Sequence, residues 1–162
     1  MKKLIAIILA VVLLCTPVFV CAIQENSSES IIVSITTEYL SDGSYIEIVL
    51  TQDITDVQTY GASQTISGNK SMTHKNSNGE VLWKFTLKGT FIYNPGSYAN
   101  CVDSSYTTSN IASGWSLDSA STRESSNKAI ADFVFIHKIL FVTTDEIAES
   151  LTLTCSADGK LS

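Results

Sequence analysis

Two glycine dipeptides, Asp42-Gly43 and Asn78-Gly79, each sit midway between segments in which apolar and polar residues alternate. Asp-Gly and Asn-Gly supply the positive φ that a tight hairpin turn requires, and alternation is the period of a strand with one buried face. The chain is therefore directed toward antiparallel ribbons. In the first, a turn centred on Asp42-Gly43 sets Ile35, Thr37 and Tyr39 against Leu50, Ile48 and Ile46, giving one apolar face on both strands at once. In the second, Trp83, Phe85 and Phe91 fall opposite His74, Met72 and Ile66. Gly68 then faces Gly89, which predicts a bend or a close backbone approach. Glu80, Lys84, Lys88 and Thr86 take the solvated face.

After the Asn94-Pro95-Gly96 turn, further strands are predicted over Tyr98 to Thr108, from Trp115, over Ala129 to Val142 and over Ile147 to Cys155. Ser119 to Asn127 reads as a polar loop. Seven or eight strands without a convincing helix predict an all-β fold, an antiparallel β-sandwich or small barrel. The order Cys101, Trp115, Cys155 invites an immunoglobulin-like sandwich. Four strands precede Cys101, however, and Leu153 stands where a tyrosine corner would, so strand order stays open.

Met1-Lys2-Lys3, the apolar run Leu4 to Leu14 and the small-residue site Val20-Cys21-Ala22 read as an export signal over residues 1–22. Cleavage after Ala22 is expected, giving a secreted chain with a flexible lead-in at 23–30 and one domain at 31–162. Lipidation of Cys21, or an uncleaved signal anchor, is the alternative; Val20 precedes Cys21, where lipidated cysteines normally follow Gly, Ala or Ser. Cleavage leaves two cysteines, Cys101 and Cys155, and an even count in an exported chain reads as one disulfide. Closing a loop of about 54 residues, it would contribute roughly 4 kcal/mol by chain entropy.

Without Lys2 and Lys3 the chain carries 8 basic and 16 acidic side chains, a net charge of −8. That balance argues against nucleic acid or an anionic membrane surface as the main partner. His74 and His137 lack partners at metal-ligand spacing and read as half-buried strand residues; no cofactor motif is present. The first hairpin's expected register sets Glu38 opposite Glu47, a spacing that could serve paired glycosidase carboxylates. Asp53 with Asp56, and Asp145 with Glu146 and Glu149, are acidic clusters without the cadence of a calcium loop. Tyr45, Tyr60, Tyr98 and Tyr106 are available to a partner such as a glycan. The run Phe133 to Val142 is apolar on both faces: either a covered central strand or a partner-facing surface built on Phe133, Phe135, Ile136 and Phe141.

Asn76-Ser77-Asn78-Gly79, Trp83, Gly89-Thr90-Phe91, Tyr93, Cys101, Trp115 and the segment from Leu151 to Gly159 give residues 64–162 a recognisable spacing. It resembles an uncharacterised family of small secreted single-disulfide β-domain proteins of Gram-positive anaerobic bacteria. The resemblance implies export, a β-domain and a disulfide, and it implies no activity and no functional residues. The run at 129–142 departs from it, being phenylalanine-rich where small residues alternating with Thr are expected. The expectation is a non-catalytic extracellular binding or structural module with an extracellular protein or glycan as partner. The alternatives are a small glycan- or wall-active hydrolase using Glu38 and Glu47, and a self-associating or membrane-active exported factor using residues 133–142.

Overall fold

The computed structural model describes residues 29–54 and 63–162. The segment read as an export signal, most of the expected lead-in, Cys15, Cys21, Asp56 and Tyr60 lie outside the described residues. Eight strands form among them: β1 (Ser30–Tyr39), β2 (Tyr45–Asp53), β3 (Gln64–Lys75), β4 (Val81–Asn94), β5 (Tyr98–Ser109), β6 (Trp115–Ser125), β7 (Lys128–Ile139) and β8 (Val142–Thr154). They make two antiparallel sheets, one of five strands in the order β1-β2-β3-β4-β5 and one of three in the order β6-β7-β8. Both orders are sequential. The immunoglobulin-like order is therefore not adopted, because such a chain passes repeatedly between its sheets and this one crosses once, from β5 to β6.

The sheets pack with β5 by β6, β4 over β7 and β3 over β8. The inner face of β4 contributes Trp83, Phe85, Leu87 and Phe91, all fully buried. Against them lie Ala129, Ala131, Phe133 and Phe135 of β7 and Leu151 and Leu153 of β8. Trp83 stacks on Phe135 at 4.4 Å and Phe85 on Phe133 at 3.9 Å between ring centroids. Each such side chain, taken out of water, contributes about 1.5–3 kcal/mol. Small residues let the rings in: a Cβ on Gly89 would lie 3.0 Å from Cβ of Ala129, and one on Gly68 2.5 Å from the Thr51 carbonyl. The close approach expected at the Gly68–Gly89 pair is present.

Register depends on the turns. Both hairpins close through three-residue loops rather than the two-residue turns their dipeptides suggest. Leu40 N–H donates to the Ser44 carbonyl and Gly43 N–H to that of Leu40, leaving Ser41-Asp42-Gly43 as the loop; Asn76 and Glu80 bracket Ser77-Asn78-Gly79 in the same way. Gly43 and Gly79 take the left-handed position that ends such a loop, at φ +86° and +84°. In the first hairpin the longer loop slips the register by one residue, so that Ile35 pairs with Val49, Thr37 with Glu47 and Tyr39 with Tyr45. The expected apolar face is thereby split: Ile46, Ile48 and Leu50 point inward opposite Glu38, Thr36 and Ser34, while Ile35 and Tyr39 turn outward. In the second hairpin an extra residue, Leu82, forms a bulge that restores the expected pairs, including His74–Trp83, Met72–Phe85 and Ile66–Phe91.

Two further expectations are corrected. Most of the segment read as a polar loop, Ser119 to Asn127, is the strand β6, whose hydroxyl residues suit an edge. The run from Ala129 to Val142 is not one strand but two, divided at Leu140-Phe141. Beyond β8 the chain folds back: Thr154 and Ser162 exchange both backbone hydrogen bonds, and Leu161 is buried against Gly68.

Candidate functional site

The turns β1–β2, β3–β4, β5–β6 and β7–β8 gather at one end of the molecule, since each joins consecutive antiparallel strands. Three of them carry the usual Gly. The fourth, between Ile139 and Val142, is built from Leu140 and Phe141, both left-handed at φ +48° and +70°. Two consecutive positive φ values make the turn that matches strand twist, normally held by Asn-Gly. Each residue with a Cβ placed there costs about 1–2 kcal/mol. Among the described residues nothing covers the turn: Ile139 is 55% exposed, Leu140 87%, Phe141 100% and Val142 64%. Four adjacent large apolar side chains are thus held in water on a strained loop, the combination that marks functional segments.

The partner-facing surface expected on the 133–142 run is accordingly corrected. Phe133 and Phe135 are buried between the sheets and Ile136 is buried within its own sheet, so only Phe141 of the four is accessible. The turn was not legible because neither of its residues is a turn former. The length of the run, with His137-Lys138 and Thr143-Thr144 flanking four apolar residues symmetrically, is the signal that could have found it.

Below the tip the two sheets trap an aromatic cluster. His74 from β3, Trp83 from β4, Trp115 from β6 and His137 from β7 stack in sequence: His74 lies edge-on to Trp83 at 5.4 Å and to Trp115 at 5.8 Å, and Trp115 stacks on His137 at 5.1 Å. His137 Nδ1 pairs with Thr144 Oγ1 at 3.0 Å, and Lys138 N–H donates to the Gly114 carbonyl, which ties the base of the tip to the β5–β6 loop. Ser44 Oγ donates to Asp42 Oδ1 at 2.6 Å, so it accepts from His74 Nε2–H at 3.2 Å. His74 Nδ1 and Trp83 Nε1 are buried and find no hydrogen-bond partner among the described residues. Burial holds the His74 imidazole below its ordinary pKa, opposed in part by the charges of Asp42 and Asp145. The cluster packs and positions; among the described residues no group of three His, Cys, Asp or Glu side chains is arranged to hold a metal ion.

The remaining candidates are dispersed. Glu38 and Glu47 lie on opposite faces of the first hairpin, paired with Ile46 and Thr37, and Glu47 is bridged to Lys75 at 3.2 Å. The one-residue slip removes the carboxylate pair. Asp145, Glu146 and Glu149 stand along β8, with Glu146 on the face opposite the other two. Asp53 is buried beside Asn69 and Lys88. Tyr45 lies tilted against Tyr39 on the outer face, Tyr106 packs inward on Phe85, and Tyr98 bonds Ser63 near the opposite end, so among the described residues no single aromatic platform forms. A shallow trough of about 480 Å³ crosses the outer face of the three-stranded sheet; its Asp132 is already paired with Arg123.

Cys101 and Cys155 are both free thiols, so the expected crosslink is not made. Their backbones are nonetheless anchored side by side, Cys101 N–H on the Ser126 carbonyl at 2.7 Å and Cys155 N–H on that of Asn127 at 3.0 Å. Burial, and then the charge of Cys101, push the Cys155 thiol up to about 11. No protein-family model, no curated protein and no solved structure matches the chain.

Proposed function

We propose that the protein is an exported, non-catalytic binding module whose two-sheet body presents the Ile139–Val142 tip to a partner outside the cell. One observation carries the reading: a strained turn made of Leu and Phe, where Asn and Gly would cost less, keeps four apolar side chains in water. A loop selected for stability alone would not have this composition. Export rests on the signal pattern of residues 1–22. The test is retention of the mature protein on whole cells, isolated wall glycan and lipid vesicles, beside the variant Leu140→Asn/Phe141→Gly. Retention on at least one surface that the variant loses while staying folded supports the reading; equal retention, or none by either protein, overturns it.

Self-association is a second reading, favoured by β1. It is the outer strand of the five-stranded sheet, lies beyond the three-stranded one, and exposes Ile31, Ile32, Val33 and Ile35. Its ten residues carry a single charge, Glu38, and no proline, so little guards the edge against pairing.

A further inference from the structure

Resting on that reading of the tip, we infer that its partner is a lipid bilayer, entered shallowly by the β7–β8 turn. Shape is the first reason. The apolar block is exposed around the end of the ribbon, and none of the described residues shields Leu140 or Phe141. A protein pocket for it would have to enclose the whole end, whereas hydrocarbon accepts apolar atoms from every direction.

Depth is the second. Two residues on each strand are apolar before His137-Lys138 on β7 and Thr143-Thr144 on β8 restore polarity. At about 3.3 Å per residue the block is about 7 Å deep. Interfacial segments bury their apolar side about 5–10 Å into the boundary between headgroups and acyl chains. Ile139 pairs with Val142 and Lys138 with Thr143 right up to the turn, which satisfies one side of each strand; the open outer edges limit the hairpin to shallow entry, where water still reaches them.

Charge is the third. Lys138 adjoins the block, and the first carboxylate on β8, Asp145, stands three residues beyond Val142. A lysine at that level reaches lipid phosphate while its stem stays in apolar surroundings. The excess of acid over the rest of the chain works against an anionic surface, so the bilayer it fits is zwitterionic and the attraction is apolar.

The probe is phosphatidylcholine vesicles and the full exported chain. In Phe141→Trp the new indole, wet in solution, is expected to shift its emission to shorter wavelength on vesicles and to be quenched by lipids labelled near the headgroup. Partitioning of the parent protein should survive added salt and fall about tenfold or more in Leu140→Asp/Phe141→Asp. Leu140→Asn/Phe141→Gly, which suits the turn, repeats the loss in a chain whose folding is not in question. An indole that stays wet on vesicles, or partitioning unchanged in both tip variants, overturns the inference. If the parent ignores vesicles but binds cells or wall glycan in a tip-dependent way, the bilayer is excluded and the binding module stands. If the tip variants change only the monomer–dimer balance, the tip is a self-association surface and the bilayer is again excluded.

Discussion

Leu140 and Phe141 hold backbone conformations that Asn and Gly adopt with little strain. Replacing both is expected to raise unfolding free energy by about 1–2 kcal/mol, read from urea titrations, while removing the proposed binding surface. Gain of stability with loss of function is the outcome that separates a working tip from an accident of sequence. His74 gives a second prediction at this scale. Its Nε2–H is committed to Ser44, and its bare Nδ1 faces buried surroundings beside Trp83, so the folded protein keeps the ring neutral. Its pKa is held below the ordinary 6.5 by burial, against the opposing pull of Asp42 and Asp145. The unfolded chain therefore takes up the proton first. Stability is full above about pH 6.5 and is lost as the pH falls through the depressed folded value. Urea midpoints followed by tryptophan fluorescence should drop between pH 7 and pH 5 in the parent and change less in His74→Phe.

Strands and their approximate places were legible because burial of one face writes a period of two into the sequence, and that period is strong in β4 and partial in β2 and β3. What the period does not contain is the length of a loop. Asp42-Gly43 and Asn78-Gly79 fit two-residue and three-residue turns equally well, and the choice moves the register by one. Only the Leu82 bulge made the second hairpin agree with its simplest reading. The β7–β8 turn was hidden for the opposite reason, having no residue that turns by preference. β1 carries the prediction proper to this scale. Ile35 is exposed on the outer face and touches no core, so Ile35→Lys should alter stability by about 0.5 kcal/mol or less. If β1 edges pair between copies, sedimentation velocity should show concentration-dependent association in the parent and a shift to monomer in the variant.

Taken whole, the molecule joins a five-stranded and a three-stranded sheet through one crossover, an apolar interface and the C-terminal fold-back under Gly68. With Cys101 and Cys155 both free thiols, added reductant should leave the unfolding free energy unchanged, read by denaturation with and without it. In the reduced protein, Cys155 should resist alkylation at neutral pH, because its thiol is buried and pushed up to about 11. The Leu140-Phe141 turn also bears on kinetics. A loop that is uphill by itself cannot seed its own hairpin, so pairing starts where Ala129 and Ala131 meet Leu153 and Leu151 and zips outward, closing the tip after the barrier has been crossed. Easing that loop should slow the escape from the native state and leave the refolding limb of a chevron almost unmoved.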